Sequence, residues 1–200
     1  MALMFLIAGL LLFLGVHSIR VFANNWRNQT LARIGEKPFK GIYALLSIVG
    51  VVLLVWGYGQ ARQQGAMLWT PPVALRHLAS LLTLIAFVLL AAAYVPGNQI
   101  KAKLHHPMVL GTKVWALAHL LANGSLADVV LFGSFLLWSV LLFAASRRRD
   151  RREQTVYAPG TSSATALTVV AGVAAWAVFA FWLHRVLMGV SPFGAMGVAG

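Results

Sequence analysis

The chain has 200 residues, of which 60% are hydrophobic and only 10% are charged, and its mean hydropathy is +0.81. This composition lies far from the roughly half-apolar, quarter-charged profile of soluble domains and excludes a water-soluble fold. The net charge of +12 does not indicate nucleic acid as a partner, because the 16 Lys and Arg lie mostly in short segments between long apolar runs. The expected partner is the lipid bilayer.

Six apolar runs divide the chain, and a membrane span needs about 20 mostly apolar residues. We keep the first run as a span, because no basic residue precedes it and no cleavage site follows it closely. One run is weak, since it contains Lys113 and His119 and ends at Asn123, which predicts a short, tilted or re-entrant segment. We therefore expect an all-α, polytopic transmembrane helical bundle of about six spans, five strong and one weak. The runs are 2–22, 41–59, 73–95, 107–122 (the weak one), 125–145 and 164–190.

The basic residues between these runs alternate from one side to the other. The first, third and fifth loops carry most of them, whereas the second offers Arg62, with Arg76 just inside the next span, and the fourth offers none. By the positive-inside rule, the odd-numbered loops are cytoplasmic and both termini are periplasmic. We expect a multi-pass protein of the bacterial inner membrane.

The spans suggest three segments along the chain. Residues 1–145 are expected to form one helical bundle with a candidate haem site, 146–163 a basic, polar and exposed linker, and 164–200 a more loosely joined transmembrane helix with a tail. Glycines on the first two spans are expected to permit close helix packing. They are Gly9, Gly15, Gly50, Gly57 and Gly59.

Histidine is the main source of chemistry in this sequence. The chain has no cysteine and only four acidic residues, so thiolate chemistry is excluded and paired-carboxylate hydrolysis is not supported. Ionisable residues at membrane depth are costly and indicate function by default. Four histidines are placed at such depth, namely His17, His77, His119 and His184, while His105 and His106 are placed near the cytoplasmic surface.

A helical bundle rich in histidine and poor in carboxylates suits haem b, because two imidazoles can fill both axial positions of the iron. His17 lies about one turn, roughly 5 Å, from the interface that Arg20 marks. If Lys113 reaches the same interface, His119 lies about 9 Å deeper, six residues along the helix. This depth estimate favours His17 and His119 as haem iron ligands. The alternative is that each histidine only hydrogen-bonds a neighbouring helix.

Two other histidines remain as secondary candidates for cofactor binding. His106 is placed with Lys113 near the cytoplasmic rim, and His77 enters the membrane from the opposite side. Because His77 and His184 are placed at the opposite face, neither of these two pairs easily with His17.

Three clusters resemble the NnrU family of bacterial membrane proteins over nearly the whole chain. They are Gly15-Val16-His17-Ser18, then His105-His106-Pro107 followed by Val114-Trp115-Ala116-Leu117-Ala118-His119, and finally Leu183-His184 with Gly189-Val190-Ser191-Pro192-Phe193. The resemblance implies a link to denitrification and nitric oxide metabolism, with a nitric oxide or respiratory reductase as a possible partner.

The sequence is also similar to the plant 15-cis-zeta-carotene isomerase, a membrane enzyme that holds haem b. The histidines of that relative that match His17 and His119 are its proposed axial ligands, so the resemblance implies the same pair here. His105 is a departure, since the relatives usually have arginine at this position.

Other functions stay open at this point. One is a non-enzymatic assembly or interaction factor for a respiratory reductase, in which the histidines are packing groups. Another is a haem-dependent, isomerase-like enzyme. A third is a membrane methyltransferase, because His106 to Gly111 resembles a segment of enzymes that use S-adenosylmethionine, but beyond it the only acidic residue before Asp150 is Asp128.

Overall fold

The computed structural model describes residues 1–193, so the end of the predicted tail, 194–200, lies outside the described residues. Within 1–193 the secondary structure is helical, without β-strands, which confirms the predicted fold class. The helices are α1 Ala2–Phe22, α2 Asn24–Ile34, α3 Glu36–Gln64, α4 Val73–Tyr94, α5 Gln99–Leu104, α6 Pro107–Ala122, α7 Leu126–Arg152, α8 Ser162–Val178 and α9 His184–Met188, with a π-helical turn at Phe179–Leu183 between the last two.

Five helices of the described chain are long and apolar enough to cross a membrane. They are α1, α3, α4, α7 and the continuous Ser162–Met188 segment. α6 is also apolar but has only 16 residues, which at 1.5 Å per residue is about 24 Å, less than the roughly 30 Å of a hydrocarbon core. The prediction of five strong spans and a weak sixth is confirmed for these helices.

Two polar stretches are helical although the hydropathy pattern did not predict it. α2 lies between the first two spans and has no buried residue. The arginine-rich start of the predicted linker continues α7 to Arg152, and within it Ser146 and Asp150 are buried rather than exposed.

By contacts the chain forms two compact units. The first contains Met1–Thr70 and Gly124–Ser146, and the second contains Pro71–Asn123 and the residues from Arg147 onward. The division into 1–145, 146–163 and 164–200 stays a prediction based on composition.

In the first unit, α1 packs closely against α3 at three glycines. A Cβ atom on Gly9, Gly50 or Gly57 would lie closer than 3 Å to backbone atoms of the facing helix, so these positions need a missing side chain. The prediction of close packing is confirmed for these three. It is wrong for Gly15 and Gly59, where a Cβ atom would meet open space.

In the second unit, α4 packs against both α6 and α8. A Cβ atom on Gly111 of α6 would contact the Ala86 carbonyl at 3.0 Å, and one on Gly172 of α8 would lie 2.6 Å from the Val88 Cα atom. Trp176 donates a hydrogen bond from Nε1 to Thr83 Oγ1 at 3.2 Å, which joins α8 to α4. The backbones of α8 and α4 therefore lie close together, and this packing holds the last span against α4.

The π-helical turn interrupts the last span just before His184. After it, α9 ends at Gly189, whose φ of +71° is left-handed and favours glycine. The His184 ring donates from Nδ1 to the Val190 carbonyl at 2.7 Å and so folds the chain back at the helix end.

Candidate functional site

His17 lies on α1, in the first unit, with a defined ring orientation. Its Nδ1 atom is 2.7 Å from the Phe13 carbonyl, and because a carbonyl can only accept, Nδ1 carries the proton and donates. In the neutral ring the lone pair is then on Nε2, a nitrogen through which histidines commonly bind metals. Aromatic rings surround the imidazole, with centroid distances of 4.2 Å to Phe13, 5.2 Å to Tyr43 and 6.4 Å to Trp138.

His119 lies on α6, in the second unit, and has the same local geometry. Its Nδ1 atom donates to the Trp115 carbonyl at 2.9 Å, so in the neutral ring Nε2 again holds the lone pair. The Trp115 ring lies 5.1 Å from the imidazole. The Asn123 side chain donates to the His119 carbonyl at 2.9 Å and closes the helix end next to this residue. Each of the two histidines is thus oriented within its own unit.

The first unit also contains a buried donor near His17. The Nε1 atom of Trp138 is buried and has no hydrogen-bond partner among the described residues. A buried donor left unpaired costs about 1–3 kcal/mol, so an unsatisfied group calls for an acceptor that the protein chain does not provide. An acidic group of a cofactor is one such acceptor, and the residues around His17 therefore fit a bound haem.

An apolar groove of about 220 Å³ lies in the first unit, and one of its lining residues is Trp138, whose ring centroid is 6.4 Å from that of His17. Residues of α1 and α7 form its walls, and Ser18 and Ser134 supply the hydroxyls. Its apolar surface is suited to a hydrocarbon or porphyrin edge. The lining residues are Leu14, Ser18, Val21, Phe22, Ser134, Leu137, Trp138, Leu141 and Leu142.

The secondary candidates have different surroundings. His77 is exposed near the start of α4. His106 precedes α6, and its Nε2 atom, the usual ligating atom, lies 2.8 Å from the Asp150 carboxylate. His106 is therefore engaged in a protein contact within the second unit.

Asp150 is the centre of a polar cluster in the second unit, which we call the Asp150 cluster. Its Oδ2 atom lies 2.8 Å from His106 Nε2, 3.1 Å from the Tyr157 hydroxyl, 3.6 Å from Arg147 Nη1 and 3.7 Å from His105 Nδ1. The Arg147 guanidinium also contacts His105 Nδ1, and because a guanidinium only donates, that nitrogen accepts. The His105 and Tyr157 rings lie 4.1 Å apart.

The surroundings of the Asp150 cluster shift the pKa values of two of its members, Asp150 and Tyr157. Burial raises the pKa of the Asp150 carboxyl, but the hydrogen bonds from His106 and Tyr157 and the charge of Arg147 outweigh it and hold the pKa below its ordinary value. Burial, together with the Asp150 carboxylate, raises the pKa of the Tyr157 hydroxyl. The carboxylate is thus stabilised in its charged form.

A second buried carboxylate, Asp128, lies at the start of α7 in the first unit. It accepts from the Ser125 amide at 3.0 Å and hydroxyl at 2.6 Å, while its own amide donates to Ser125 Oγ at 3.2 Å. This reciprocal pair is a capping box. The Tyr58 hydroxyl of α3 donates to the other carboxylate oxygen at 2.6 Å. Asp128 therefore has a structural role in fixing α7 to α3.

Sequence reasoning missed the Asp150 cluster. It assigned Asp150 to a loop, because the partners His105 and His106 are more than 40 positions away in the chain. The available signal was a single acidic residue inside a run of five arginines, 147–152, together with the unusual His105-His106 pair. A single carboxylate among arginines indicates a residue that makes a specific contact and not one that only faces solvent.

Over the described residues, these features define an all-helical membrane protein with two histidines whose ring orientation is fixed by the backbone. The family model described as NnrU protein matches residues 5–192, nearly the whole chain, and the chain belongs to that family. Neither curated proteins nor solved structures gave a significant match to the chain.

Proposed function

We propose that this member of the NnrU family binds haem b through His17 and His119 and acts in nitric oxide metabolism and denitrification. The observation that carries the proposal is the shared geometry of the two rings, each of which donates from Nδ1 to the carbonyl four residues earlier. Histidines that ligate metals almost always donate their other ring N–H to such an acceptor, which fixes the tautomer and the orientation of the ring.

The other residues of the first unit support a cofactor next to His17. The aromatic rings of Phe13, Tyr43 and Trp138 exclude water from one side of the imidazole, and the buried Trp138 N–H is available to an acidic cofactor group. Bound haem b supplies one-electron redox chemistry and binding of diatomic gases. The link to nitric oxide itself is supported by the family name and not by a residue of the site.

An interaction protein without a cofactor is the second candidate. The exposed arginines at the end of α7 favour it, because Arg148, Arg151 and Arg152 present positive charge to a soluble or membrane partner. A respiratory reductase is the partner that this alternative implies. An isomerase-like activity on a lipophilic polyene is the enzymatic variant of the haem proposal, and only the resemblance supports it.

For the location we propose the bacterial inner membrane with the odd-numbered loops in the cytoplasm and both termini in the periplasm. The basic residues of the segments 23–40, 96–106 and 146–161 support this orientation.

The first experiment is a reduced-minus-oxidised absorption spectrum of the detergent-purified protein, with pyridine haemochrome quantitation. We expect a b-type spectrum with about one haem per chain in the wild type, and loss of the haem in His17→Ala and in His119→Ala, since each change removes one of the two axial ligands. His77→Ala is the matched control, because this exposed histidine lies on α4, which carries neither proposed ligand, and the variant should keep the full haem content.

A colourless protein from haem-replete cells would overturn the haem proposal and favour the interaction protein. In that case, replacement of Arg148, Arg151 and Arg152 together should abolish partner capture while both histidine variants stay active. Loss of haem in His77→Ala instead of His119→Ala would reassign the second ligand.

A further inference from the structure

The short connection between α5 and α6 contains a strained residue. His105 has φ +70° and ψ −51°, and the amide of His106 donates to the Leu104 carbonyl at 2.9 Å. These values define the positive-φ γ-turn, a rare and strained conformation for a residue with a side chain. Such conformations persist only where the surrounding structure holds them in place, and they concentrate at functional positions.

The Asp150 cluster supplies the groups that hold this turn. Asp150 is 8% exposed, and its Oδ2 atom accepts hydrogen bonds from His106 Nε2, next to the strained residue, and from the Tyr157 hydroxyl. Arg147 contacts His105 Nδ1, and the Tyr157 ring packs on the His105 ring. Groups from the end of α7 and from the following segment therefore meet on the two histidines of the turn.

The turn leads directly into the helix that carries a proposed haem ligand. His106 is the residue before α6, Pro107 is its first residue, and His119 lies near its other end. Because Pro107 fixes its own φ and α6 is a continuous helix, the backbone angles at His105 and His106, together with the packing of α6 against α4, determine the direction of the helix. A change in the turn at one end should therefore shift the His119 ring at the other.

We propose that Asp150 is a positioning residue that keeps the strained turn at His105 closed and thereby sets the place of His119. The effect of Asp150 on the turn does not depend on haem, whereas its effect on the place of His119 rests on the proposed haem site. Hydrogen–deuterium exchange tests the effect on the turn, and the absorption spectrum tests the effect on His119.

The first measurement is hydrogen–deuterium exchange of peptides that cover residues 99–107, in the full chain and in detergent. Asp150→Ala should raise the exchange of this segment about tenfold, because the strained turn opens once the carboxylate is gone. Alanine is a better helix former than aspartate, so the substitution keeps α7 helical. If Asp150→Ala does not fold, Asp150→Asn replaces it, since an amide keeps the shape but loses the charge.

Glycine and alanine at position 105 provide the matched comparison. Both His105→Gly and His105→Ala remove the ring contacts to Arg147 and Tyr157, but only glycine adopts a positive φ at no steric cost. Adding Asp150→Ala should therefore raise the exchange strongly in the alanine background and less than about threefold in the glycine background. Equal effects in both backgrounds, or no effect of Asp150→Ala in the wild type, would overturn the proposal.

The second measurement is the absorption spectrum of the haem-loaded variants. Asp150→Ala should convert a large part of the haem from the six-coordinate, low-spin form to the five-coordinate form, and the double variant His105→Gly/Asp150→Ala should restore the low-spin spectrum. A low-spin spectrum in Asp150→Ala, with increased exchange of 99–107, would overturn the positioning of His119. A protein without haem in the wild type would refute the proposed function but would leave the exchange experiment as a test of the turn.

Discussion

Single carboxylates organise the polar contacts of this protein, because it has only four acidic residues in 200. Asp128 and Asp150 are both buried, and each accepts hydrogen bonds from several groups at once. Burial of a charge is costly unless the charge is paired and hydrogen-bonded, so the loss of one partner leaves the others unsatisfied. The effect of a substitution should therefore depend on how many donors it leaves without an acceptor.

Substitutions of Asp128 and of its partner Tyr58 should therefore reduce the stability by different amounts. Asp128→Ala should destabilise the protein by about 2–4 kcal/mol, since it leaves the buried Ser125 and Tyr58 hydroxyls without their acceptor, whereas Tyr58→Phe should cost about 1 kcal/mol because it removes one donor. The measurement is the free energy of unfolding in mixed micelles with increasing denaturing detergent. Equal losses in the two variants would contradict the capping role of Asp128.

The contribution of Asp150 to the stability of the fold should depend on pH. The pKa of the carboxyl in the folded protein is held below its ordinary value of 3.8, so the charged carboxylate stabilises the fold above pH 3.8, and this contribution is lost as the pH falls through the lower, folded-state pKa. In thermal unfolding of the purified protein, Asp150→Asn should have a lower Tm than the wild type at pH 7. The difference should shrink towards zero as the pH falls below 3.8. A difference that does not vary with pH would show that shape, and not charge, matters at this position.

At the scale of the helices, small residues decide how closely neighbours approach. α1 and α3 meet at Gly9, Gly50 and Gly57, where any side chain would overlap the facing backbone, while Gly59 on the same helix faces open space. Two glycines on α3, two positions apart, thus have opposite roles. Sequence alone could not separate them, because both lie in the same apolar run and only the facing helix distinguishes them.

The two glycines provide a controlled test of this difference. Gly57→Ala should lower the stability by about 1–3 kcal/mol, since the new methyl group forces α1 and α3 apart. Gly59→Ala should be neutral or stabilising by up to about 1 kcal/mol, because alanine is the better helix former. Thermal unfolding of both variants in the same detergent measures the difference. A loss of stability in Gly59→Ala of the same size as in Gly57→Ala would show that this site does not face open space.

At the scale of the whole molecule, hydropathy predicts the membrane spans from the sequence, but it does not predict the polar contacts. A helix that crosses a hydrocarbon core needs about 20 apolar residues, so hydropathy predicted the five long helices and the short α6. α2 carries no such run, and its helical structure was missed for that reason. The ring orientations of His17 and His119 follow from backbone carbonyls that any helix provides, whereas the Asp150 cluster joins residues distant in sequence and has no local pattern.

The absence of cysteine in the sequence makes the membrane orientation testable. Single cysteines at Asn28, Gln64 and Gln154 place one thiol in each of three loops, and all three residues are exposed. In spheroplasts, a membrane-impermeant maleimide should label Gln64→Cys and should leave Asn28→Cys and Gln154→Cys unlabelled until the membrane is disrupted. The reverse pattern would invert the proposed orientation.

The π-helical turn at Phe179–Leu183 has a consequence for comparing this chain with its relatives. A wider turn holds one residue more than an α-helical turn, and each residue of an α-helix advances by about 100° around the axis. His184 and the residues after it are therefore out of phase with α8 by about one position. Removing one residue from this turn would make the last span a regular α-helix and would leave His184 on the same face relative to α8, because the deletion restores the helical phase. A relative that lacks this residue therefore presents the same face of its last span. A relative of the same length with a regular α-helix here would instead turn the residues after this point by about 100° around the axis.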